Sequence, residues 1–123
     1  MRGADFIAGF REFIEGGLDE ENKARFRLAI TAYFKALIQI CDFIILKDRG
    51  FAPKNHDERF RVLERYFPPV YPIVDDLFSL YRKTYTSPMD KEACKVIRNG
   101  IRKVIDAGKL GKELEDVAEK LSK

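Results

Sequence analysis

The sequence predicts an all-α fold, in which four main helices and short accessory helices pack around one core. Apolar residues recur at intervals of three and four along nearly the whole chain, which is the spacing of amphipathic helices. No segment shows the alternation of a half-buried strand, and no internal repeat or long linker divides the chain. We therefore expect residues 1–123 to form a single helical domain.

The first two predicted helices have the clearest periodicity. Residues 4–15 place their apolar side chains on one stripe, and Gly16 and Gly17 are expected to end this helix. Residues 22–47 form the longest predicted helix, whose wide apolar stripe indicates a central position with neighbours on several sides. Gly50 is expected to end it. The stripe of this second helix consists of Phe26, Ala29, Ile30, Tyr33, Phe34, Leu37, Ile40, Cys41, Ile44 and Ile45.

Caps and prolines delimit the helices that follow. Asn55 is expected to cap a short helix that ends at Pro68-Pro69, and residues 70–85 form the next helix. Ser87 is expected to cap the helix after that, because a proline follows it at the first helical position.

The C-terminal part of the chain is also amphipathic. Gly100 lies in an apolar stripe, where the missing side chain would let another backbone approach closely. A final segment follows, and we expect it to pack onto this chain or onto a partner. Its apolar residues are Leu110, Leu114, Val117, Ala118 and Leu121.

Composition favours a cytoplasmic globular protein without a metal or cofactor. The chain is 46% apolar and 35% charged, and its net charge of +3 is mild for a nucleic-acid binder. The longest apolar runs are too short to span a bilayer, and the N-terminus shows no export signal. Cys41 and Cys94 lie among helically spaced apolar residues and are expected to be buried. A single histidine without clustered cysteines makes no zinc site, and there is no phosphate-binding or dinucleotide-binding glycine motif.

Candidate chemistry centres on that histidine, His56. In one interpretation it only fills the first turn of a helix, where Asn55 and Glu58 form a capping box. In the other, Arg49 and His56 converge on a phosphodiester, because a guanidinium binds phosphate and an imidazole can move a proton. A metal-independent endoribonuclease would use such a pair, but spacing alone leaves both interpretations open.

A second candidate is a basic band on the helix after Ser87. Lys91, Lys95, Arg98 and Arg102 recur at four, three and four residues, which places them in a narrow band opposite the apolar stripe. The band is expected to be either a solvated helix face or a surface that follows phosphates.

The chain resembles small stand-alone archaeal and bacterial HEPN-domain proteins over residues 20–108. The resemblance is carried by AITAYFKALIQICDFIILKDRGFAPKNHDERF and by LYRKTYT, followed by a helix that begins near Asp90. It implies an up-and-down four-helix bundle that often dimerises, with a groove at the dimer interface. Many HEPN proteins cleave RNA through an arginine and a histidine that are separated by four to six residues. Others bind nucleotide or RNA without cleavage, and several form toxin–antitoxin pairs with a minimal nucleotidyltransferase.

Carried onto this chain, the resemblance implies Arg49 and His56 as catalytic residues. It departs from the family pattern at Gly50, where a polar residue usually stands, and the pair also lies earlier in the chain than in the ribonucleases. The later candidate, Arg82, has no histidine after it, so we expect a binding protein rather than an active nuclease. The implied phosphate-binding residues are Lys54, His56, Arg82 and Tyr85, with Tyr33 as a further groove aromatic that could equally belong to the core.

A non-catalytic interaction module is the alternative function. Its apolar helix faces would mediate dimerisation or complete a partner protein's bundle, and Val117 of the last helix would be an exposed contact. This hypothesis predicts that His56 is dispensable.

Overall fold

The computed structural model describes residues 2–123. Helices make up 75% of the chain. No strand is present in this described range. The all-α prediction is therefore confirmed. The helices are α1 (Gly3–Asn22), α2 (Phe26–Arg49), α3 (His56–Tyr66), α4 (Tyr71–Lys83), α5 (Lys91–Ala107) and α6 (Glu115–Leu121).

Helix α1 continues through the two glycines that were expected to end it, so that prediction was wrong. Gly17 is buried, and a methyl group placed on it would collide with the ring of Tyr33 in α2. The glycine therefore allows close packing of two helices instead of terminating one. The turn comes later, where Ala24 has a positive φ of 59°.

Helix α2 forms the centre of the core, as its wide apolar stripe predicted. Gly50 ends it in the left-handed conformation at φ 83°, where a residue without Cβ is favoured. By length and composition α2 is also apolar enough to cross a membrane, with a mean hydropathy of 1.7 over its best window. Because 61% of that window is buried inside the chain, its position in the core already accounts for this composition.

Helix α3 runs in the same direction as α2 along their contact. Asp42 of α2 binds Arg59 of α3, and Arg49 lies over the ring of Tyr66, so both helices advance by seven residues between the two contacts. The loop of residues 50–55 therefore leads the chain back along α2 before α3 begins. Pro68 and Pro69 follow the end of α3, as expected.

The start of α5 lies three residues after the position expected from Ser87. Asp90 is the cap, and its Oδ1 accepts a hydrogen bond of 2.9 Å from the backbone N–H of Ala93. Gly100 of α5 meets the side chain of Leu77 in α4, since a methyl group there would lie 2.5 Å from Leu77 Cδ1. A neighbouring helix therefore does approach Gly100 closely, as expected, but it does so through the side chain of Leu77 and not through its backbone.

Helix α6 packs onto its own chain, which corrects the premise of an exposed partner-binding helix. Val117 is only 2% exposed, and the other apolar residues of this region, Leu110, Leu114 and Leu121, are also buried. Two surface ion pairs, Arg11–Asp116 at 2.8 Å and Lys120–Glu15 at 2.7 Å, join this region to α1. A charge introduced at Val117 would therefore test folding rather than partner binding.

The basic band of α5 is interrupted at its centre. Arg98 is 3% exposed and forms a buried ion pair with Glu21 of α1 at 3.0 Å. Its Nη1 also donates to the backbone carbonyl of Leu121 at 2.8 Å. Arg98 lies at the edge of the apolar stripe, one turn from the buried Cys94, and so it holds helices together instead of facing phosphates.

Candidate functional site

His56 lies at the first position of α3, where its neighbours fix the local geometry. Asn55 Oδ1 accepts a hydrogen bond of 2.9 Å from the backbone N–H of Glu58, which confirms the predicted cap. His56 itself is solvent-exposed, although three aromatic rings lie around it. The centroid of the His56 ring is 5.6 Å from the ring centroid of Phe78, 6.1 Å from that of Phe60 and 6.4 Å from that of Phe34.

A buried ion pair, Asp42–Arg59, is hydrogen-bonded to the imidazole of His56. Arg59 donates from Nε to Asp42 Oδ1 at 2.6 Å and from Nη2 to Asp42 Oδ2 at 2.9 Å, and both side chains are at least 90% buried. The third guanidinium nitrogen, Nη1, is 2.9 Å from Nδ1 of His56. Asp42, Arg59 and His56 therefore form one hydrogen-bonded chain, which we call the Asp42–Arg59–His56 chain.

This arrangement determines which proton His56 carries. A guanidinium only donates, so Nδ1 of His56 must accept, and the proton of the neutral ring must be on Nε2. Desolvation by the surrounding side chains lowers the pKa of His56 below its ordinary value, and the positive charge of Arg59 lowers this pKa further. His56 is therefore a neutral imidazole at pH 7 whose free polar group is the Nε2–H donor.

His56 opens onto a cleft of about 250 Å³ between four helices, which we call the His56 cleft. It is lined by Phe13 of α1, by Phe34, Lys35, Ile38 and Gln39 of α2, by His56 of α3 and by Tyr81 of α4. The rings of Phe34 and Tyr81 stack almost in parallel, at 4.5 Å and 9°, and form one aromatic wall. The Nζ of Lys35 lies 5.9 Å from the centroid of the Phe13 ring.

The structure does not bring Arg49 and His56 together. The Arg49 guanidinium lies 3.9 Å from the ring centroid of Tyr66, the last residue of α3. Tyr66 is ten residues beyond His56, which at 1.5 Å per residue separates their backbones by about 15 Å. The six-residue spacing predicted convergence across a tight loop, but the loop instead runs back along α2 and leaves the two side chains at opposite ends of α3.

Arg82 and Tyr85, by contrast, lie beside the His56 cleft. The Arg82 guanidinium is 5.1 Å from the centroid of Phe78, the same ring that His56 approaches. The hydroxyl of Tyr85 is within hydrogen-bonding distance, 2.9 Å, of the Tyr81 hydroxyl at the cleft. Tyr85 is nevertheless 71% exposed. Lys54 is exposed in the loop two residues before His56.

Tyr33 belongs to the core and not to a groove. It is fully buried, and its hydroxyl donates to Glu21 Oε1 at 2.7 Å. Burial and this carboxylate raise the pKa of Tyr33 far above its ordinary range. Glu21 thus receives hydrogen bonds from both Tyr33 and Arg98, which makes it the centre of a second buried polar cluster.

The two cysteines and the acidic residues form no metal-binding group. Within residues 2–123, no three His, Cys, Asp or Glu side chains are close enough to hold an ion. Cys41 and Cys94 are buried free thiols, and burial raises the pKa of Cys94 to about 12. Neither thiol is therefore available as a nucleophile at neutral pH.

Sequence reasoning missed most of the residues that form the cleft. Phe34 was assigned to the core stripe of α2 and is buried there, but it also contributes to the lining of the cleft. No role was assigned to Arg59 or Asp42 from the sequence. Asp42 interrupts an otherwise apolar stretch of α2, CDFIIL, and a charge at such a position is a signal of a buried partner.

Comparison with known proteins finds no family model that matches this chain, and no match among curated proteins or solved structures. The HEPN resemblance therefore stays an expectation from the sequence motifs.

Proposed function

We propose that this chain is a HEPN-like helical protein that binds nucleotide or RNA on the surface around the His56 cleft, without cleaving it. The observation that carries the proposal is the position of His56 and Arg82 beside one ring, Phe78, with the exposed Tyr85 close by. Aromatic faces that can stack on bases, next to cations that can bind phosphates, are the combination used by proteins that bind single-stranded nucleic acid.

The cations at this surface are free to meet a ligand. Lys35, Lys54 and Arg82 are exposed, and none of the three makes an ion pair within the described residues. Arg82 has one face over Phe78, which leaves its N–H groups for a phosphate. Binding to phosphates through such residues should weaken steeply as salt is added.

Two features favour binding over cleavage. Arg49 lies at the far end of α3 from His56, so the pair expected for phosphodiester cleavage is not assembled. His56 Nδ1 already accepts from Arg59 and its Nε2 carries the proton, so the neutral ring has no free lone pair with which to act as a general base. His56 is suited instead to donating a hydrogen bond.

We also propose that α1, α2, α4 and α5 are the four main helices of an up-and-down HEPN-like bundle, with α3 and α6 as accessories. In support, Gly3 lies against Phe43 and Gly17 against Tyr33, so α1 and α2 are antiparallel. The loop of residues 50–55 would then return the chain along α2, α3 would run parallel to α2, and α4 could run in the opposite direction.

The test is RNA binding by charge-matched variants. We expect a fluorescently labelled single-stranded RNA to bind at about 50 mM salt and to weaken strongly at about 200 mM salt. Arg82→Gln should weaken binding and reduce the salt slope by about 0.7 for the lost phosphate contact. Lys112→Gln, which removes an exposed charge from the loop before α6, is the matched control and should bind as the wild type does. Absence of RNA and mononucleotide binding at low salt would exclude the proposal.

A further inference from the structure

We propose that the His56 cleft is a nucleobase pocket, in which an acceptor-bearing base edge, such as the O6 and N7 edge of guanine, meets the Nε2–H of His56. This inference rests on the proposed function and names the part of the ligand that enters the cleft. Phosphates would remain outside, on the exposed side chains of Lys54 and Arg82.

The size and walls of the cleft fit one flat ring system. Its volume of about 250 Å³ is below the roughly 300 Å³ at which pockets for drug-sized molecules begin, so it holds a base rather than a whole oligonucleotide. Phe13 reaches it from α1 and Tyr81 from α4, while Phe34, which is only 2% exposed, stacks on Tyr81 from within the core. Accessible aromatic rings such as Phe13 and Tyr81 can stack on bases of any sequence.

The polar groups in the cleft determine which hydrogen-bonding edge of a nucleobase can bind there. Nδ1 of His56 is occupied by Arg59, so Nε2 on the opposite side of the ring is the polar atom left for a ligand, and it donates. Lys35 is a second donor in the same lining and is positively charged, whereas the amide of Gln39 and the hydroxyl of Tyr81 can each donate or accept. Guanine presents two adjacent acceptors, O6 and N7, whereas adenine presents an amino donor beside N7. The two groups that can only donate, the Nε2–H of His56 and the ammonium group of Lys35, therefore match guanine better than adenine.

The Asp42–Arg59–His56 chain of hydrogen bonds keeps His56 in the tautomer that donates to the base. If the imidazole could exchange tautomers, it could donate to one base and accept from another. Because Asp42 holds Arg59 through two hydrogen bonds and both residues are buried, Arg59 cannot easily turn away from Nδ1. Arg59 and Asp42 are positioning residues in this sense, and neither contacts the base.

The experiment compares GMP, AMP and ribose 5-phosphate, by calorimetric titration of the full chain without a histidine tag. Base stacking should make GMP bind at least about fivefold tighter than ribose 5-phosphate. GMP should also bind tighter than AMP. His56→Phe keeps an aromatic ring but removes the donor, so it should weaken GMP about two- to tenfold and leave ribose 5-phosphate unchanged. Tyr66→Phe, at the far end of the same helix, is the matched control.

The outcomes separate this inference from the proposed function. Equal affinity for GMP and ribose 5-phosphate would overturn the nucleobase pocket while phosphate binding stands. Binding of an RNA oligonucleotide without binding of GMP would also overturn the pocket alone. Unchanged preference for GMP over AMP in His56→Phe would overturn the role of the Nε2–H. If neither RNA nor any mononucleotide bound at low salt, the proposed function itself would fail.

Discussion

Arg59 donates a hydrogen bond to Nδ1 of His56 across 2.9 Å, although the side chain of Arg59 is almost fully buried and His56 is exposed. The buried carboxylate of Asp42 thus fixes the guanidinium of Arg59, and Arg59 in turn fixes the orientation of the His56 ring at the protein surface. In that arrangement the lone histidine is a fixed donor at a helix start where Asn55 already supplies the cap.

The buried pair should show strong coupling in a double-mutant cycle. Arg59→Met leaves Asp42 as an unpaired buried charge, so we expect it to lower the free energy of unfolding by about 3–5 kcal/mol. Asp42→Leu should have a cost of similar size. The double variant should lose much less than the sum, because two well-packed apolar side chains can replace a buried pair. Urea unfolding measures all three, and additive losses would show that the two residues do not depend on each other.

Neighbouring glycines of α1 should respond in opposite ways to alanine. Nothing lies within 4 Å of a methyl group on Gly16, so Gly16→Ala should stabilise the helix by about 0.5–1 kcal/mol. Gly17→Ala would push into the buried Tyr33 ring and should destabilise the protein by about 1–3 kcal/mol. Thermal unfolding of the two variants checks the difference. Equal effects would mean that α1 and α2 are not packed as closely as described.

Arg98 should matter for folding and not for RNA. Arg98→Met leaves Glu21 buried without its charge partner, and we expect a loss of about 3–5 kcal/mol of unfolding free energy. Arg102→Met removes an exposed charge from the same helix and should change stability by less than about 0.5 kcal/mol. Denaturant unfolding and RNA binding should be measured for both. If the Arg98→Met protein were stable but bound RNA more weakly, the hypothesis that the basic band of α5 follows phosphates would be supported again.

Stability should fall in mild acid because of His56. The pKa of His56 is lowered in the folded state, by burial first and by Arg59 second, while Asp42 and Asp57 oppose the shift. Between the folded pKa and the ordinary value of about 6.5 the unfolded chain binds more protons, so the unfolding free energy rises with pH across that window. The contribution of the neutral His56 ring to the unfolding free energy is therefore lost as the pH falls from the ordinary value of about 6.5 through the lower folded pKa. Unfolding curves of the wild type and His56→Gln over this range check the effect, and identical pH slopes would contradict it.

Local features were predictable from the sequence, and long-range pairings were not. Asn55 and Gly50 could be assigned because a cap and a left-handed helix end depend on a few adjacent residues. The Asp42–Arg59 and Glu21–Arg98 pairs join residues 17 and 77 positions apart, so nothing in the local pattern links them. Arg49 shows the same limit, since its spacing from His56 gave no information on the path of the intervening loop.

The two glycines of α1 were misassigned for a related reason. A Gly-Gly pair is a common helix end, and the sequence does not show that Tyr33 of the next helix needs the space above Gly17. Of the candidate site, His56, Lys54, Arg82 and Tyr85 were named from the HEPN resemblance, and their role in binding stays a prediction. The cleft wall could not be named in advance, because Phe13, Phe34 and Tyr81 have the spacing of core residues.

The state of the single imidazole tests the central claim most directly. Because the chain has one histidine, ¹⁵N-edited NMR of the tag-free protein gives one unambiguous pair of ring nitrogen signals. We predict a neutral ring at pH 7 with the proton on Nε2, a pKa below the ordinary value of about 6.5, and a shift of the Nε2 signal when GMP is added. A proton on Nδ1, a pKa at or above the ordinary value, or an Nε2 signal unchanged by saturating ligand would contradict the account.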